Sequence, residues 1–138
     1  MNMFSVSTIP DVPRTAAGLF IRCSNSGNCL MLKRADGEGW CIPGGGMQFG
    51  EDLRQCALRE FEEECGCPRS SVSLMKGEFR THNPDGLVFT TFQATCPEEF
   101  TPKLNDEHED FIWVHPYRHP KPLHPGFKEY LEANGFLG

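Results

Sequence analysis

Glu60, Glu63 and Glu64 are the residues whose spacing most directly suggests chemistry. On a helix, residues three and four apart share a side, so these carboxylates would stand together while Glu62 turns to solvent. Like charges so placed repel, at roughly 0.2–0.5 kcal/mol per pair on an isolated helix and more on a buried face. A bound cation would relieve that repulsion. Oxygen-only ligands select hard ions, Mg²⁺ or Mn²⁺, rather than zinc. The alternative at this point is a solvated acidic face, the common meaning of a charge run. The preceding "PGGG" (43–46) bears on the choice. Glycines let backbone come close to a ligand, and the carbonyl of Gly44 could join the carboxylates on an ion. An ordinary turn would read the same way.

The elements that must position these groups follow from local pattern. The helix is predicted over 52–65, with Asp52 and Gln55 as a capping box and Gly66 followed by Pro68 as its stop. Its apolar face is Ala57, Leu58, Phe61 and Cys65. Strands are predicted at 14–23 and 29–35, joined as a hairpin by the turn at 24–28. A short apolar piece at 39–46 ends in the glycine loop. Further strands are expected at 72–82, 86–96 and 110–116, with "NPDG" (83–86) as a turn, and a closing helix at 126–136. This gives an α+β chain in which a mixed sheet is flanked by two helices, an α/β/α sandwich.

The 138 residues suit one domain, with residues 1–13, which carry Pro10 and Pro13, as an extended arm. A hydrophobic fraction of 38% suffices for one core, not two. A net charge of -6 disfavours a stable complex with nucleic acid. No signal peptide and no membrane-spanning run is visible. The seven cysteines are therefore expected to be free thiols in a reducing cytoplasm. Cys65 and Cys67 lack the partners of a zinc site. The pattern does not choose between a monomer and a homodimer.

Gly45, Glu51, Arg59-Glu60-Phe61, Glu63-Glu64 and Gly66-Cys67 fall at fixed intervals. Together they resemble the Nudix box, G-x5-E-x7-R-E-U-x-E-E-x-G-U, where U is bulky and apolar. Every glycine and polar position agrees. Phe61 and Cys67 stand where an aliphatic residue is usual. "WCIPGGG" also looks like the family's lead-in, and the strand pattern extends the likeness over 14–135. The resemblance implies the Nudix fold and hydrolysis of a pyrophosphate bond in a nucleoside diphosphate derivative, with Mg²⁺ or Mn²⁺. It implies Glu60, Glu63, Glu64 and the Gly44 carbonyl as metal ligands. Arg59 would orient the acids, Glu51 would brace the start of the helix, and Gly45 and Gly66 would be structural. For a general base it offers Glu63 or Glu107. Glu107 stands before Trp113 at the spacing of the MutT-like branch, with Glu109 as a neighbouring alternative.

The box says little about what the pyrophosphate is attached to. The proline typical of ADP-ribose hydrolases is replaced by His82. The tyrosine of one dinucleoside-polyphosphate branch is replaced by Pro84. The small chain is more like the compact MutT form, so a nucleoside or deoxynucleoside triphosphate, cut to monophosphate and pyrophosphate, is the expected substrate. Nucleotide sugars, ADP-ribose, dinucleoside polyphosphates, or a non-catalytic nucleotide-binding module are the alternatives. Arg34, with Lys33 beside it, is expected to face phosphates. Phe79, Phe89 and Phe92 are candidate base contacts, with Phe79 foremost. His124, or His119, is a candidate base or phosphate contact. Strand phenylalanines more often pack in the core.

Overall fold

A computed structural model describes residues 14–137. The extended arm expected at 1–13 lies outside the described residues. In order, the elements are β1 (Arg14–Cys23), β2 (Cys29–Arg34), β3 (Trp40–Cys41), β4 (Gly44–Gly46), α1 (Leu53–Cys65), β5 (Ser73–His82), β6 (Leu87–Cys96), β7 (His108–Val114) and α2 (Pro125–Ala133). The sheet is mixed. β1 runs parallel to β6 along its whole length, and the other pairings are antiparallel.

The sheet forks at β1, and this fork makes the cleft. β1 meets β2 only at Arg22↔Cys29, beside the turn. Further along, β4 takes the place of β2, pairing Gly18↔Gly44 to Ala16↔Gly46. The expected hairpin is therefore closed only at its turn, and β2 goes on to pair with β7. The expected glycine loop is itself a strand. Glycine has little intrinsic strand preference, so this pairing is imposed by the partner strand rather than by local sequence.

β1 is buried on both faces, as its nearly continuous apolar run requires. Ala17, Leu19 and Ile21 point to a cluster with Cys56, Ala57, Phe61 and Cys65 of α1. Phe20 points to the opposite cluster, with Phe127, Tyr130 and Leu131 of α2. One helix thus covers each face, as expected of an α/β/α sandwich, and the apolar interior is divided in two by the sheet. Leu58, expected on the buried face of α1, is only partly buried.

The ends of α1 are set by local chemistry. Asp52 accepts the Gln55 backbone N–H, and the Gln55 side chain accepts the Asp52 N–H, both at 2.8 Å. This is the reciprocal capping box. Gly66 ends the helix at φ 66°, a left-handed conformation that favours glycine. α2 begins at Pro125 and stops at Ala133, short of the expected 136. The chain then turns through Gly135 at φ 82° and lays Phe136 on Phe20, with ring centroids 5.9 Å apart.

Candidate metal and active site

The site is assembled where α1 crosses β4. The bonds Leu19 N–H to Pro43 O and Met47 N–H to Thr15 O set the register of β4 on β1. In that register Gly44 and Gly46 occupy non-hydrogen-bonded positions, so their N–H and C=O groups face away from β1. They face α1. Gly44 donates its N–H to Glu64 Oε1 at 2.9 Å. Gly46 O accepts from Arg59 Nη2 at 2.8 Å. The Gly44 carbonyl is turned to the same side.

Arg59 ties the acids together. Nε and Nη2 grip Glu51 at 3.0 and 2.8 Å in a two-pronged pair. Nη1 reaches Glu60 at 2.9 Å and Glu63 at 3.1 Å. Glu51 also accepts the Gln48 N–H at 2.7 Å, which fixes the loop before the helix. The Arg59 guanidinium, helped by that N–H, holds the Glu51 carboxyl down at about 2. Glu62 stands apart, paired with Arg69 at 2.9 Å.

Gly45 leaves room for the Glu60 carboxylate. A Cβ there would lie 2.6 Å from the Glu60 carboxylate. Gly45→Ala makes the Glu60 carboxylate shift and is expected to draw it off Arg59 while the rest of β4 stays paired. Displacement of a positioned group by about an ångström can cost about 10²-fold in rate. A fall of that order in kcat/KM, with a circular-dichroism spectrum like that of the parent, is the expected result.

Two acids are buried, contrary to a fully solvated face. Glu60 is 8% exposed and Glu64 only 1%. Burial pushes the Glu64 carboxyl up to about 9, with Glu60 and Glu107 adding to the effect and the Gly44 N–H opposing it. Its Oε2 has no hydrogen-bond partner. An orphaned buried carboxylate oxygen beside a second acid and the Gly44 carbonyl fits a divalent cation. Among the described residues, however, no three His, Cys, Asp or Glu side chains converge on one point closely enough to hold an ion. Arg59 accounts for this, because it draws Glu60 and Glu63 onto itself. The Glu63 side chain is 52% exposed and is the carboxylate with room to turn.

Between the ordinary carboxyl value of 4.5 and about 9, folded metal-free protein keeps a Glu64 proton that the unfolded chain releases. The folded state then binds more protons than the unfolded one, so stability falls as pH rises through that window. Melting of chelator-treated protein should show a midpoint that declines from pH 5 to pH 9. A divalent cation, which favours the ionised acid, should flatten the decline.

Of the α1 acids, Glu64 alone lines a cavity of about 870 Å³, together with Gly44, Arg34, Glu107, His124 and Phe89, among others; Glu60 and Glu63, drawn to Arg59, are not in its wall. Glu107 is exposed and close enough to raise the Glu64 pKa. Glu109 is instead paired with Lys33 at 3.1 Å and lies outside the cavity wall. Arg34 reaches the cavity, with its Nε 3.0 Å from Asp36. His124 caps α2, its Nδ1 accepting the Gly126 N–H at 3.2 Å. That leaves the ring hydrogen on Nε2. Burial and the Arg34 charge lower its pKa, which keeps it neutral. His119 is absent from the cavity wall.

Phe79 is a correction. It shares a sheet face with Phe89, but Tyr130 of α2 covers its ring at a centroid distance of 5.6 Å. It packs in the core, and Phe89 and Phe127 supply the aromatic wall instead. Phe92 is buried under α1. Sequence reasoning missed Phe127, Cys41 and His108 in the cavity wall. The only local signal for His108 was its place next to Glu107.

All seven cysteines are free thiols. No helix among the described residues is long and apolar enough to cross a membrane.

A family model described as the NUDIX domain matches residues 12–133. The nucleoside triphosphatase NudI of Escherichia coli O17:K52:H18 is 30% identical over 108 residues, 67% of this chain and 76% of that protein. Among solved structures, the Nudix hydrolase RenU of M. smegmatis superposes with a TM-score of 0.73 at 25% identity, covering 91% of this chain and 88% of RenU. The C. elegans Ap4A hydrolase in its binary complex gives a TM-score of 0.72 at 22% identity, covering 88% of this chain and 91% of that one, a likeness of fold. The match across the box, the strands and both helices leads to one conclusion: this chain belongs to the Nudix hydrolase family, enzymes that act on pyrophosphate bonds.

Proposed function

We propose that this chain is a Mg²⁺-dependent pyrophosphohydrolase that cuts a nucleoside or deoxynucleoside triphosphate into monophosphate and pyrophosphate. The observation that carries the reading is Glu64: a buried carboxyl lining a nucleotide-sized cavity, beside Glu60 and with an Oε2 that accepts no hydrogen bond. Acids alone would repel a polyphosphate, so the same groups make sense only with a cation. That the NudI relative is a nucleoside triphosphatase supports the choice of substrate.

Glu60, Glu63, Glu64 and the Gly44 carbonyl would hold the ion. When bound, Mg²⁺ offsets phosphate charge, polarises the P–O bond and acidifies water. Arg59 keeps the acids in register and does not touch substrate. Glu107 takes the proton of the attacking water, a role supported by its place in the cavity and its lack of an ion pair among the described residues. Arg34 binds phosphate, His124 donates from Nε2–H to the base, and Phe89 and Phe127 give the base an apolar wall.

A panel of nucleoside triphosphates, dinucleoside polyphosphates, nucleotide sugars and ADP-ribose, with products separated by chromatography, tests the assignment. Monophosphate and pyrophosphate from a triphosphate are expected. Turnover confined to the other classes would reassign the substrate. Binding without turnover of any compound would favour a non-catalytic module.

A further inference from the structure

The cavity wall carries two arginines, and each is matched to an aspartate of the same wall, Arg14 to Asp85 at 2.9 Å and Arg34 to Asp36. A carboxylate beside the path of a polyphosphate repels it. Asp36 therefore works against binding unless it does something for Arg34. Arg34 donates Nε–H to Asp36 Oδ1 at 3.0 Å and a second N–H, from Nη2, to Oδ2. This two-pronged pair sets the plane of the guanidinium and leaves Nη1 outside it.

Asp36 is itself held. It accepts the Glu38 N–H at 3.0 Å, and the bond from Arg34 N–H to Gly39 O, also 3.0 Å, closes the turn between β2 and β3. That turn is wedged against the chain before α2. Gly39 has φ 102°, and a Cβ there would lie 2.7 Å from Pro122 O. The Trp40 N–H donates to the same carbonyl at 2.9 Å.

The turn also touches the segment of the proposed base. Ala35 donates its N–H to Glu107 O at 2.9 Å, and Arg34 stands opposite His108 where β2 pairs with β7. Arg34 and Glu107 are thus neighbours across the ladder, at a spacing that long side chains bridge, and both line the cavity. A guanidinium free to turn would pair with the Glu107 carboxylate. A base held in such an ion pair is a poorer proton acceptor. The geometry points to Asp36 as a positioning residue: it keeps the Arg34 guanidinium off Glu107 and leaves the Nη1 edge for phosphate. This rests on the pyrophosphohydrolase reading, with Arg34 on phosphate and Glu107 as base, and adds the residue that keeps the two apart.

Steady-state kinetics of the intact protein with Mg²⁺ and a nucleoside triphosphate give the test. Asp36→Ala should lower kcat about tenfold, part of the roughly 10²–10⁴-fold that a general base supplies, and should raise KM as Arg34 turns to Glu107. Arg34→Ala should raise KM, with a smaller fall in kcat. The double variant has no guanidinium left to cover Glu107, so its kcat should recover to that of Arg34→Ala. Asp36→Asn can still accept the Glu38 N–H and so keeps the turn. It lacks the charge that outcompetes Glu107 for Arg34, and its kcat should fall in the same direction. Melting midpoints should barely move, because both side chains of the pair are partly exposed and such pairs contribute little to folding. A parental kcat in Asp36→Ala or Asp36→Asn, or a double variant no faster than Asp36→Ala, would overturn the inference. Either result with an active parent sinks only this inference. A parent inert toward every pyrophosphate compound sinks the functional reading as well.

Discussion

Glu64→Gln is expected to lower kcat by about 10³-fold, the loss of several kcal/mol of ion-derived stabilisation at the reacting phosphate. The fold should survive. A glutamine amide oxygen can still accept the Gly44 N–H that Glu64 now accepts at 2.9 Å. Its NH₂ can also turn toward Glu60, as the protonated Glu64 carboxyl does in the metal-free parent. Metal-free Glu64→Gln should therefore melt no lower than the metal-free parent, and its midpoint should no longer decline between pH 5 and pH 9. Glu63→Gln should lose activity to a similar degree with little change in stability, since the Glu63 side chain is half exposed. Steady-state rates and thermal melts on the two variants, with and without Mg²⁺, separate these effects. Near-parental activity in both would remove the basis for the metal site.

Arg59→Leu is expected to have the largest effect on stability. The guanidinium is the shared partner of Glu51, Glu60 and Glu63, at side-chain exposures of 16% for Arg59, 14% for Glu51 and 11% for Glu60. Removing one partner of a largely buried pair leaves uncompensated charge, at about 3 kcal/mol or more. The urea midpoint of the metal-free variant should drop accordingly. Mg²⁺ should recover part of the loss, because the ion would neutralise Glu60 and Glu63 in place of Arg59. Arg59→Lys should fall between the two, since an ammonium keeps the charge but cannot grip Glu51 with two parallel bonds. A midpoint unchanged in Arg59→Leu would show that the clasp contributes nothing to the fold.

The parts of this molecule visible in its sequence are those governed by near neighbours. Asp52, Gln55 and Gly66 bound α1 because caps act within a turn. The β5–β6 hairpin was legible from its turn and its aromatic, β-branched strands. The acids could be placed on one side of α1 because helical spacing is fixed. What was hidden depends on contacts between distant segments. Three glycines give no cue that β4 will be a strand; its pairing to Ala16–Gly18 decides that. The period of a strand puts Phe79 and Phe89 on one face, but only the seat of α2 shows that Tyr130 covers one and leaves the other on the cavity. The burial of Glu60 and Glu64 was likewise out of reach, since it requires knowing that β4 closes over the end of α1. Cys41 and His108 come from β3 and β7, on either side of β2, and no local pattern joins them.

The central claim is that the carboxylates of α1 act through a divalent ion on a pyrophosphate bond. The most direct measurement is pyrophosphate release from a nucleoside triphosphate by chelator-stripped protein as Mg²⁺ is titrated in, run in parallel on Glu64→Gln. No release is expected before Mg²⁺ is added, then a saturable rise with the parent and almost none with the variant at any Mg²⁺ concentration. Full turnover by the stripped parent, or an equal rise in both proteins, would contradict the claim.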